Sequence, residues 1–128
     1  MTTGKQLFSS LADGKLTVEI LETIYSDPTG NQVLVQMEAA PINPSDLALL
    51  TGAADLENAE YSDGKFVASM PEPFFSAQKG RHGLRLPVGN EGAATVIAAG
   101  ESEAAQALIG QRVACVPGSA YSQYCVAD

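Results

Sequence analysis

The feature that most constrains this chain is a period of two. Apolar residues fall on alternate positions in runs too short for ordinary helices, and glycine and proline turns divide the runs. Residues 15–25 (KLTVEILETIY) place Leu16, Val18 and Ile20 in step and then slip phase at Leu21, the pattern of a strand with a bulge or bend. Asp27, Pro28, Thr29 and Gly30 form a turn cluster, and a second strand is expected over 32–40 on Val33, Val35 and Met37. Residues 86–99 read as one further extended segment ending at Gly100, and 111–116 and 120–126 as two more strands around Pro117, Gly118 and Ser119. Short strands of this kind predict a mostly β domain, a small barrel or sandwich. A few short helices punctuate it. One is expected over 47–50, capped by Ser45 or Asp46 and closed by Gly52, and another over 101–108.

Between residues 53 and 85 the periodicity fades and Asp, Glu, Gly, Ser and Pro dominate, with Phe66, Phe74 and Phe75 among them. A structureless stretch this long is uncommon inside a compact domain, so part of it is expected to fold locally or to act as a lid.

At 128 residues the chain reads as one domain with enough length for a real core. Fifteen acidic against seven basic side chains leave a net charge of -8. That balance disfavours nucleic acid and anionic lipid as partners and suits solubility. No apolar run approaches the roughly 20 residues that cross a bilayer, and the first residues lack the regions of a signal peptide, so a cytoplasmic location is expected. Cys115 and Cys125 lie in apolar surroundings and are expected to be buried thiols. With His82 as the one histidine, the chain cannot assemble the usual four-ligand structural zinc set.

Four segments, in order, resemble the medium-chain dehydrogenase/reductase superfamily. They are VLVQMEAAPINPSDLALLTG (33–52), PVGNEGAATVIAAGE (87–101), IGQRVACV (109–116) and SAYSQYCV (119–126). The resemblance covers most of the chain outside 53–85. It implies a GroES-like, partly open β-barrel over residues 1–128, with 53–85 as an insertion. It also implies a Rossmann domain that binds NAD(P)H, which this chain lacks: the glycines at 80, 83 and 89 have neither the spacing nor the strand–helix setting of a dinucleotide fingerprint. Zinc alcohol dehydrogenases place a cysteine near the position of Asn43 and a histidine at that of Asn90. An amide replaces neither ligand, so the zinc-free quinone oxidoreductases and enoyl thioester reductases are more similar. The catalytic tyrosine of the enoyl reductases has no counterpart at its spacing, the nearest being Tyr61 in the insertion.

The resemblance therefore implies the substrate-side half of a zinc-independent, NAD(P)H-dependent oxidoreductase acting on a quinone, enal or enoyl thioester. As an isolated fragment it is expected to be inactive and to bind no cofactor, while the full-length protein is expected to be homo-oligomeric. A free-standing GroES-like binding module is the alternative. Asn43 either donates its amide to an acceptor or cofactor, or stabilises the turn before Pro44. Asp46 is expected as a hydrogen-bond acceptor or cap ahead of a proton donor. Ser45, Asn90, Glu91 and Tyr121 complete the expected cleft, Glu91 either tuning the site or pairing with Arg112 or Arg85, and Tyr121 and Tyr124 packing at the core or rim. The insertion either shapes acceptor specificity or is a surface elaboration.

Overall fold

A computed structural model describes residues 1–128. The chain opens with a long hairpin, β1 (Thr2–Ala12) and β2 (Lys15–Tyr25). Asp13 and Gly14, both at positive φ, form its two-residue turn, as an Asp-Gly pair favours. Pairing runs without interruption from Ala12 opposite Lys15 to Thr2 opposite Tyr25, so the bulge expected at Leu21 is absent. The phase slip has another cause. At one end of β2 the face bearing Leu16 and Val18 is buried, whereas at the other end the opposite face is covered where Tyr25 meets Tyr124 edge-on at 5.7 Å.

β3 (Val33–Ala39) leads through a turn into α1 (Pro44–Leu50). Residues 53–85 are then built into the fold. β4 (Glu60–Ser62) and β5 (Lys65–Ser69) form a hairpin whose second strand pairs with β2. Two short turns follow, α2 (Phe74–Ala77) and a 3-10 turn over Lys79–Arg81, before β6 (Arg85–Pro87) pairs with β1. The first sheet thus has the order β4-β5-β2-β1-β6. The segment expected to be continuous from 86 to 99 divides at Val88–Glu91, because β6 belongs to the first sheet and β7 (Gly92–Ala99) to the second.

After α3 (Glu103–Gln106), β8 (Arg112–Cys115) and β9 (Tyr124–Ala127) complete a second sheet in the order β8-β7-β3-β9. The last strand begins four residues later than expected, since Ala120 bonds Gly89 and residues 121–123 run against β1. The register shifts lie here, between Leu34 and Val35 and between Met37 and Ala39, where they curve β3 against β7. The two antiparallel sheets do not close into a barrel. Each has its own core: Val33, Val35, Ala94, Val96, Ala105 and Cys125 in the second, and Leu11, Leu16, Val18 and Met70 in the first.

Candidate functional site

The site is built on the turn that ends β3. Asn43, in an extended conformation, is the N-cap of α1, and Pro44 takes the first helical position, where its fixed φ and missing N–H cost nothing. The cap is therefore Asn43, one of the six candidate residues, instead of Ser45 or Asp46. Asp46 acts from inside the helix. One carboxylate oxygen accepts the backbone N–H of Asn43 at 2.9 Å, and the other accepts the backbone N–H of Asn90 at 3.0 Å. At 2 % exposure this carboxylate is buried, and it staples two turns that lie 44 residues apart.

Side chains repeat the link. The Asn90 amide donates to Ser45 Oγ at 2.6 Å, and the Asn43 amide to Glu91 Oε1 at 3.2 Å. Glu91 therefore meets Asn43 and neither arginine. Arg112 reaches Glu38 at 2.9 Å and Arg85 reaches Glu19 at 3.9 Å, each following the neighbours that its own sheet supplies. Tyr121 ties in a third segment by donating its hydroxyl to Pro41 O at 2.9 Å. Partial burial, with the Asp46 carboxylate nearby, raises its phenol above the usual range.

Backbone packing at Gly89 holds this third segment close. Tyr121 N–H donates to Val88 O and Ala120 N–H to Gly89 O. Gly89 has φ +101, and a Cβ there would lie 2.6 Å from Tyr121 N, so a side chain is excluded on both counts. All six candidates thus share one network, Tyr121 through Pro41. The glycines flanking Asn90 and Glu91 suggest a close backbone approach to a ligand, and at Gly89 the close neighbour is the Tyr121 backbone; nothing in the sequence points to the Pro41 carbonyl.

Beside the network lies a cleft of about 590 Å³ between Pro41, Glu91 and Gly92 on one side and Cys115 and Val116 on the other. Its walls are mostly apolar, with Glu91 the charged group among them. Val116 is 79 % exposed at its mouth. Cys115 and Cys125 are both free, Cys125 buried and Cys115 half-buried, and burial pushes the Cys115 thiol up. No three His, Cys, Asp or Glu side chains converge as a metal site would need. Tyr61 stands apart on β4, 73 % exposed, against Phe66. No helix is long and apolar enough to cross a membrane.

Residues 29–128 match the alcohol dehydrogenase GroES-like domain, and the chain belongs to that family. Two proteins of known structure resemble this chain over nearly its whole length. One is a Mesorhizobium loti protein classed as an NADPH:quinone reductase, 25% identical, with a TM-score of 0.59 over 100% of this chain and 36% of that one. Another, a mycobacterial protein solved in complex with NADPH, is 20% identical, with a TM-score of 0.58 over 97% of this chain and 31% of that one. The chain therefore spans about a third of the length of these structures. No curated protein matches the sequence.

Proposed function

We propose that residues 1–128 form the substrate-side domain of a zinc-independent, NAD(P)H-dependent reductase of quinones or enals. The observation that carries this reading is the Asn43–Glu91 pair at the edge of an apolar cleft. An amide donor and a carboxylate beside apolar walls suit an electron-poor, largely uncharged acceptor. The cofactor, when bound, supplies hydride from C4 of its nicotinamide. This chain has no glycine-rich turn opening a helix to take a pyrophosphate, so the dinucleotide needs a Rossmann domain outside residues 1–128. The cleft is suited to the ring end alone, where Asn43 donates to an acceptor carbonyl and Asp46 holds the Asn43 turn against Asn90.

Zinc independence rests on the donor set. Asn43 and Asn90 stand where the metal enzymes place a cysteine and a histidine, and neither amide replaces a thiolate or imidazole. Two free thiols suit a cytoplasmic protein. The whole protein is read as a homo-oligomer and the isolated domain as inactive.

The test is the full-length protein with NADPH or NADH and a panel of quinones, enals, an enoyl thioester and alcohols, with and without chelator. Chelator-insensitive nicotinamide oxidation by a quinone or enal is expected. Asn43→Ala should lower kcat/KM by about 10²-fold, the size of a lost oxyanion-type donor. Failure of the intact protein to bind or oxidise either nicotinamide supports a GroES-like binding module instead.

A further inference from the structure

The core face of the first sheet is covered at one end only. Leu11 and Leu16, opposite each other on β1 and β2, are fully buried, but four cross-strand pairs along, on the same face, Leu7 faces an Ile20 that is 49 % exposed. Two hollows open over this pair. One, of about 340 Å³, lies toward the insertion, between Leu50 at the end of α1 and Tyr61 and Phe66 of the β4–β5 hairpin. The other, of about 330 Å³, lies toward Tyr121, Ser122 and Gln123. Leu7 and Ile20 line both, with Lys5 and Gln6 beside the second hollow and Lys65 beside the first, so the two share an apolar floor and make a trough with polar edges.

Its ends identify what it fits. Tyr121 lines one end, and its hydroxyl is bonded to Pro41, which lines the cleft proposed above for the acceptor. At the other end is the insertion's tilted aromatic pair, Tyr61 and Phe66, with centroids 5.8 Å apart. We propose that the trough is a subsite for the linear alkyl tail of an enal acceptor, whose reactive head lies in the cleft past Tyr121. The inference rests on the reductase reading and narrows it from any electron-poor acceptor to one with a tail. A floor formed by the Leu7–Ile20 pair suits a linear chain better than a fused ring. The insertion becomes a specificity element, since it supplies the wall that the first sheet would otherwise lack.

The first arm of the test uses 1-decanol, which reacts with neither thiol nor amine, added to the methyl-labelled 128-residue chain. Saturable shifts are expected at the Ile20, Leu7 and Leu50 methyls and not at Ile97 or Ile109, and 1-butanol should give none. Ile20→Asn, which makes the floor polar, and Ile20→Trp, which fills it, should each remove the response. The second arm compares 2-decenal with 2-butenal in the full-length protein. Either variant should raise KM for 2-decenal about tenfold, the loss expected for one large aliphatic contact, and leave kcat and the 2-butenal KM unchanged.

Shifts spread equally over Ile97 and Ile109 would overturn the proposal, as would equal KM changes for the two aldehydes. So would trough methyls already shielded from decanol by the remainder of the full-length protein. If decanol binds at Ile20 but neither aldehyde is reduced, the reductase reading fails and an alkyl-chain site remains.

Discussion

Asp46 illustrates how a residue in a catalytic-looking motif can be defined by its hydrogen bonds. Both of its oxygens are occupied by backbone N–H groups, from Asn43 and Asn90, and it is almost wholly buried. Asp46→Asn keeps one acceptor and turns an NH₂ toward the other donor, leaving one buried N–H unmatched. That costs about 1–3 kcal/mol, read as a lower urea midpoint with unchanged slope. A proton donor behaves differently: the variant would retain its stability while the full-length protein lost turnover. The first result marks Asp46 as the residue that positions Asn43, with the amide of Asn43 left to meet the acceptor.

At the scale of elements, the insertion is held by an unusual side chain. Arg81 donates to Ser9 Oγ at 2.8 Å and to Gln78 Oε1 at 3.3 Å, while its buried Nε has no partner and no carboxylate forms an ion pair with it. Ser9, fully buried, in turn donates to Leu49 O at the end of α1. The guanidinium thus connects the insertion, through β1, to the helix that carries the site. Arg81→Met is expected to speed amide exchange over residues 74–83 and leave β3 and β7 protected. Global stability should change by no more than about 1 kcal/mol, because an apolar chain of similar length replaces a poorly satisfied cation. Ser9 also explains what sequence reasoning missed. Buried Gln6 and Ser9 interrupt the apolar alternation of β1, so the Asp13-Gly14 turn was the stronger signal for that hairpin. β4 and β6, at three residues each, are too short to show a period and exist because longer strands accept them. β2 and β3, each with at least three apolar residues in step, were legible, as were the two site motifs. Their contact across 44 residues was not, because no local pattern encodes it.

The whole molecule joins two sheets with separate cores, and two carboxylates fasten the second. Glu38 accepts from the Thr95 hydroxyl and pairs with Arg112, linking β3, β7 and β8. Glu101 accepts the N–H of Gly30 at 2.9 Å, joining the turn before β3 to the segment after β7. The Thr95 hydroxyl, with Arg112 beside it, holds Glu38 below its usual range, and the Gly30 N–H and its own N–H do the same for Glu101. A carboxylate whose folded pKa is depressed stabilises the fold above its unfolded pKa, and that contribution disappears as pH falls through the folded value. Glu38→Gln and Glu101→Gln should therefore lower the urea midpoint at pH 7, and their difference from the parent protein should shrink only as pH falls below about 4.3, the ordinary glutamate value, through the depressed folded values. The net charge of -8 changes sign below the sequence pI of about 4.4, so overall repulsion first falls and then rises in parent and variants alike. Only the difference between parent and variant isolates the two contacts. A difference that persists undiminished to pH 3 would assign the loss to packing, and leave the joining of this sheet to its apolar core.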